Sequence, residues 1–439
     1  MIIYLAFESV LKKAERYNII SEERSEVFEK KRKIRFAETE KGCPRLADRG
    51  RLDIPALAFG SNSPFGAAAG LVGAIAACII GSGSPNRIPT PHVEVFAILI
   101  YAANTIGVPG AMLSCIIAGM LLLFVATIQF NKSFFKIPPA ALGAVTFIVA
   151  AVLCIIQVNY YFGIGVPAGS AFETLVAYRS YGFHSNWRGV LYGTITLVIM
   201  ITYPIKFKKL SRKVPAPAVA LALTTVLNLF LNPVAERTAI DEVGSFASTP
   251  SFLLVGDISI FDVTPEKLLP SFIYAWALVV VLVADTLMKE NQLSVVRSSL
   301  AFKGLRSIIC PVCDGMTVGD ESSEGETRMT GIFAAVIMIV LSIIAHPVIM
   351  RVPTATLAVI IICTAWKKVR FKVIKTAFKS SKKAFAILLF AAMVVVGIFW
   401  DMVVVIDIVS IGALIYCFDR RRKVRKKAER LADMREKSE

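Results

Sequence analysis

Pro270-Ser-Phe-Ile-Tyr-Ala-Trp-Ala-Leu-Val-Val-Val-Leu-Val-Ala-Asp-Thr-Leu-Met288 is the stretch whose reading decides the fold. Apart from Asp285 it carries no charged side chain, and its length and composition predict a membrane-spanning helix rather than a soluble core helix. A carboxylate at the centre of such a helix costs roughly 2.5–3.5 kcal/mol on insertion scales, so it needs a partner or a wet cavity. Two readings of Asp285 follow. It binds a coupling cation or proton beside a transported solute, or it pairs with Lys289 at i+4 and snorkels to the interface. Position alone leaves both open.

The rest of the chain repeats the apolar signal. Of 439 residues 56% are hydrophobic, and the mean hydropathy is +0.65, which excludes a soluble domain. Membrane segments are expected near 64–83, 89–106, 108–130, 137–158, 188–205, 214–232, 269–288, 296–312, 331–350, 352–366, 384–400 and 402–418. Gly66, Gly70 and Gly73 recur among alanines in the first of these, a spacing that lets helices approach closely in lipid. Residues 1–53 are strongly charged and read as a cytoplasmic segment with a surface helix over 8–35. The apolar run 54–60 is too short to cross alone. No secretory leader is expected at the start, where the apolar residues give way at once to lysines and glutamates.

The net charge of +17 collects in patches between and after the apolar runs, so it reports topology rather than nucleic-acid binding. Lysines and arginines cluster at 132–136, 206–213, 367–375 and 420–427, which the positive-inside rule assigns to the cytoplasm, along with both termini. The stretches 159–187 and 233–267 are poorer in them and are expected outside. The eight cysteines suggest no disulfide framework. Cys310-Pro-Val-Cys313 lacks the further ligands of a zinc site, and no nucleophile–base pair marks an enzyme. His184 and His346 read as packing or interfacial residues.

An internal echo points to architecture. Ile137-Pro-Pro-Ala-Ala-Leu142 and Val352-Pro-Thr-Ala-Thr-Leu357 both open a membrane run with proline at an early helical position. Lysines precede the first copy and follow the second, as an inverted-topology repeat predicts; the bland alternative is two unrelated proline-led helices. Two Gly/Pro-interrupted places lie in corresponding regions of the halves, at 81–92 and 310–319. Broken helices of this kind put half-helix N-termini near the bilayer midplane, where their free N–H groups suit an anion. The competing reading of each is a turn at the membrane surface.

These residues carry a resemblance. Over residues 54–425 the chain resembles the membrane domain of the SulP family, the sulfate permease-like anion transporters. The glycine-rich stretch 66–91 is similar to that family's second helix and the start of its third. Ala284-Asp285-Thr286-Leu287 resembles the acidic pattern of the eighth. Gly325-Glu-Thr-Arg-Met-Thr-Gly-Ile332 is similar to the start of the eleventh, and the segment 352–422 resembles the last three helices.

The resemblance implies an all-α polytopic membrane protein of two inverted seven-helix repeats forming core and gate domains, with the first helix truncated. The transporter domain would span 54–418, its repeats 54–232 and 268–418, and a basic cytoplasmic tail would occupy 419–439. A small anion such as sulfate or bicarbonate would lie between Thr90, Pro91 and His92 on one side and Met316, Thr317 and Val318 on the other. Asp285 would serve a coupling sodium ion or proton, with no other cofactor and no bound metal. The partners implied are the anion, the lipid bilayer of the plasma or inner membrane and, as a homodimer, a second copy of the chain.

The chain departs from the family's pattern in three places. The first helix is represented only by its end, and the tenth region is shortened and carries Asp320, Glu321 and Glu324. Only a basic tail follows Phe418, where the family has its C-terminal STAS domain. A nucleobase–cation symporter of the same architecture and a non-transporting membrane protein are the alternatives.

Overall fold

The computed structural model describes residues 46–81, 89–90, 92–127, 139–164, 170–181, 186–211, 214–231, 264–289, 293–313, 315–316, 319–320, 328–344, 346–349, 351–379 and 383–412. The surface helix expected over 8–35, much of the stretch 233–267 and the basic tail lie outside these residues. The described residues are nearly all helical. The chain's first half runs α1 (Leu46–Ser61), α2 (Ala67–Gly81), β1 (Pro89–Thr90), α3 (Val93–Thr127), α4 (Pro139–Phe162), α5 (Ala171–Tyr181), α6 (Trp187–Lys206) and α7 (Ala216–Leu231). Its second half runs α8 (Leu268–Lys289), α9 (Leu293–Val312), β2 (Gly319–Asp320), α10 (Arg328–Ile344), α11 (Thr354–Lys368), α12 (Phe371–Phe378), α13 (Lys383–Phe399) and α14 (Met402–Gly412).

The two halves share one order: two helices, a short strand, a helix, a proline-led helix, a short helix, then two more helices. The proline echo seen in the sequence therefore marks equivalent elements, α4 and α11. The strands of the two halves meet antiparallel, Pro89 opposite Asp320 and Thr90 opposite Gly319. That is the pairing two inverted copies give when their broken tips converge. The halves differ most at α3. α3 is 35 residues long and joins the two expected segments across Gly107, at φ 81 and ψ 166, with Pro109 just beyond. Only glycine takes that φ cheaply, and the proline withholds a helical donor, so the break is written locally. Its counterpart α10 has 17 residues.

Boundaries shift from those expected. α1 begins at Leu46 and runs through the expected domain boundary at 53/54. Residues 89–92, expected as the start of a spanning helix, instead hold β1 and the approach to α3. The segment 331–350 is divided, α10 ending at Ile344 and a separate turn of helix following at His346–Ile349. The short helices α5 and α12 lie between expected segments, where periodicity over 8 to 11 residues is too brief to read.

Packing gathers most helices into two groups, which α1 bridges by packing on α11 as well as on α2. α3 packs on α8 and α9, and α2 on α1, α9 and α10; α4 packs on α11, α12 and α13, and α6 on α7 and α11. Among the described residues, four helices are long and apolar enough to cross a membrane by length and composition: α3, α4, α6 and the one spanning Pro265–Leu287. Outward faces carry large apolar side chains, Phe124 at 65% and Phe230 at 78% exposure among them, as lipid contact requires. Polar bonds cross between helices inside. Asn62 donates to the Gln157 side chain at 2.9 Å and to the Thr354 carbonyl at 3.2 Å, tying the end of α1 to α4 and α11.

Close approach fixes the break in the second half. A Cβ on Gly73 of α2 would run into the backbone of Met316, and the Met316 N–H donates to the Ala69 carbonyl at 2.9 Å, so that backbone is held. Gly70 is equally tight against the Ala56 carbonyl. The glycine stripe is thus a docking groove for α1 on one side and for the broken segment on the other. Gly73→Ala is expected to destabilise the protein by about 1–3 kcal/mol through overpacking. Gly412→Ala, with open space around it, is expected to change little. Thermal melting of both variants in detergent checks the contrast.

Candidate functional site

Asp285 lies in the last turns of α8, and the structure turns it inward, to 6% exposure. The next side chain, Thr286, donates its hydroxyl to the Leu282 carbonyl at 2.7 Å, the back-bond typical of a helical threonine. Its oxygen then accepts from Lys303 Nζ of α9 at 2.8 Å, and the same ammonium reaches Asp285 Oδ2 at 3.2 Å. The other carboxylate oxygen, Oδ1, faces His92 Nε2 at 3.4 Å. His92 Nδ1 stands 2.8 Å from Glu94 Oε2, oriented as an ion pair rather than as an aligned hydrogen bond. A buried charge chain results: Glu94, His92, Asp285, Lys303.

Local structure explains each position. The His92 carbonyl accepts from the Phe96 N–H at 2.9 Å, so His92 sits at the mouth of α3 just after the broken stretch. Glu94 occupies the first turn, where the helix dipole favours a carboxylate. Lys303 belongs to a polar stripe on α9, Ser299, Lys303, Arg306 and Ser307, at helical spacing and all buried. The height of α9 is set by glycines, since a Cβ on Gly119 of α3 would meet the Gly304 carbonyl at 2.6 Å.

Both ring nitrogens of His92 face carboxylate oxygens, an arrangement that doubly protonated imidazole satisfies because both nitrogens then donate. With His92 neutral, the two carboxylates balance Lys303 and the nearby Arg370. With His92 protonated, the site carries one net positive charge. A cavity of about 50 Å³ adjoins it, lined by His92, Glu94, Thr146, Asp285 and Arg370 with an apolar wall from α8 and α14. It therefore lies between the two helix groups, since Thr146 belongs to α4 and His92 to α3. At roughly 10–15 Å³ for each water-sized occupant, it has room for a few such groups.

The sequence-expected residues fall into three sets. His92 and Asp285 come together as described. Thr90 is placed by its backbone in β1, and Met316 is buried at 4% exposure against α2 rather than lining the cavity. Pro91, Thr317 and Val318 lie outside the described residues, as does the side chain of Lys289. Glu94 and Lys303 are the members that the sequence reading passes over. Their trace is present nonetheless: ionisable residues inside apolar segments, with Lys303 and Arg306 on one helical face.

Comparison with known proteins agrees with this fold. A sequence model described as the sulfate permease family matches residues 315–391. The chain is 25% identical over 390 residues to the bicarbonate transporter BicA of a Picosynechococcus species, covering 82% of this chain. It is 25% identical over 389 residues to the BicA of a Synechocystis species, covering 83%. In each case the match spans 66% of the relative's own length. Among solved structures, the transmembrane domain of a cyanobacterial BicA superposes with a TM-score of 0.63 at 21% identity, covering 82% of this chain and 93% of that one. The overall structure of SLC26A9 superposes with a TM-score of 0.67 at 11% identity, covering 85% and 64%.

Removing one partner of a buried ion pair strands the other. Lys303→Met is expected to lower stability by about 3 kcal/mol, and Lys303→Met/Asp285→Asn to recover most of that loss. A double-mutant cycle by thermal or denaturant unfolding in detergent measures the coupling, and additive losses would contradict the pairing.

Proposed function

We propose that the chain, which shares sequence with the sulfate permease family and its fold with the transmembrane domain of BicA, is a SulP-type anion transporter that moves sulfate, bicarbonate or a similar small anion across the plasma (inner) membrane by alternating access, coupled to protons. The observation that carries this reading is the cavity between the two helix groups with its charge chain along one wall. A site at that boundary faces one side of the membrane or the other as the groups move against each other. No bond in the solute is made or broken.

Of the coupling ions that Asp285 could serve, the His92 contact supports the proton. The charged groups around the imidazole are Glu94 on its own segment, Asp285 on α8, Lys303 of α9 bound to Asp285, and Arg370 across the cavity. Adding one proton to His92 moves the local balance of Glu94, Asp285, Lys303 and Arg370 from neutral to positive, which favours an anion. Lowering the pH on the side that supplies the solute therefore raises uptake, and the gain is lost as His92 deprotonates. In this reading both termini face the cytoplasm, and a homodimer is the assembly.

Uptake into proteoliposomes tests the proposal with labelled bicarbonate, sulfate and uracil. The expected result is anion uptake that rises as external pH falls, no more steeply than about tenfold per pH unit because one proton is bound. His92→Gln and Asp285→Asn are expected to flatten that dependence while the protein still inserts. Uptake of uracil in place of either anion would favour the nucleobase symporter. No uptake of any solute by folded protein would favour the non-transporting alternative.

A further inference from the structure

The carboxylate that the sequence marks as an ion site already holds an ion. Lys303 Nζ lies 3.2 Å from Asp285 Oδ2 and 2.8 Å from Thr286 Oγ1, with only 1% of its side chain exposed. Those two oxygens are what α8 offers a monovalent cation at this face, and an ammonium carries the same single charge. The remaining carboxylate oxygen is turned to His92. The lysine cannot easily withdraw. Its neighbour Gly304 is packed against Gly119 of α3, which leaves no slack for α9 to slide, and the stripe continues into Arg306, itself 1% exposed.

We propose that Lys303 is a tethered cation standing in the place of a dissociable coupling cation, so that this protein works without sodium. A sodium ion at Asp285 would have to displace the ammonium or sit beside it. The first strands a buried lysine, and the second sets two positive charges in contact inside a low-dielectric interior with Arg306 close by. Either way the ion would give up its hydration for oxygens that are already engaged. The lysine thus acts as an ion-selectivity residue of the site. Its consequence for flux rests on the anion-transport reading; its occupancy of the Asp285 site does not.

The test separates these two levels. Purified protein is melted in sodium chloride and in choline chloride at equal ionic strength. The wild-type midpoint is expected to be the same in both salts. Lys303→Ala is expected to melt lower in choline and to be raised saturably by sodium, and Lys303→Ala/Asp285→Asn to lose that response. Lys303→Ser, which leaves a small oxygen ligand, serves as the second variant if the alanine form does not fold. A sodium-dependent rise in the wild type, which needs no variant, overturns the proposal, as does a folded Lys303 variant indifferent to sodium. In proteoliposomes, wild-type anion uptake is expected to proceed at equal rates with sodium or choline outside, and Lys303→Ala to gain at least about fivefold stimulation by sodium. Absence of all uptake would count against the transport reading, while the melting result decides the occupancy of the site.

Discussion

Charge in a low-dielectric interior must be neutralised by neighbours, and that constraint organises this molecule around Asp285. A carboxylate near the end of α8 is tolerable there because Lys303 and His92 take one oxygen each, and because Glu94 balances the imidazole in turn. Remove any member and a charge is left in surroundings that solvate it poorly. Three helices therefore cannot shift independently at this level. α3 contributes the histidine and glutamate at its mouth, α8 the aspartate and threonine, α9 the lysine.

The backbone makes that convergence possible. Glycine supplies close approach where α9 meets α3, at Gly119 and Gly304, and where α2 receives the Met316 backbone, at Gly73. Without a strong hydrophobic drive between helices in lipid, such contacts and interhelical hydrogen bonds set how the helices lie. Asn62 bridging to Gln157 and Thr354, and the 2.7 Å contact of Thr105 with Tyr274, do the same work between and within the helix groups. The antiparallel meeting of β1 and β2 then joins the broken places of the two halves, while the cavity lies between α3, α4, α8 and α14.

Much of the fold was legible because its signals are local. Apolar length marks spanning helices, the segment boundary read between 106 and 108 falls at the Gly107 break in α3, and paired prolines mark the start of α4 and α11. The inverted arrangement was legible for a related reason, since charge flanks must follow topology. The site was legible in part. Asp285 stood out by type and position and His92 through the family resemblance, and the structure sets them 3.4 Å apart. Glu94 and Lys303 did not, because each is one ionisable residue within a segment counted as apolar overall. Met316 was expected beside the solute and is packed on α2, since the register of a short broken segment depends on the groove that receives it.

The sequence by itself determined a membrane protein of repeated halves with an acid in its eighth labelled helix, since apolar length, helix-breaking residues and flanking charge act along the chain. Which cation answers that acid was decided only by tertiary structure. The contact reaches from α8 to Lys303 on the next helix, and whether two helices present those side chains to each other depends on their rotation and height. Glycine contacts between helices distant in sequence fix both, and no local pattern of residues encodes them.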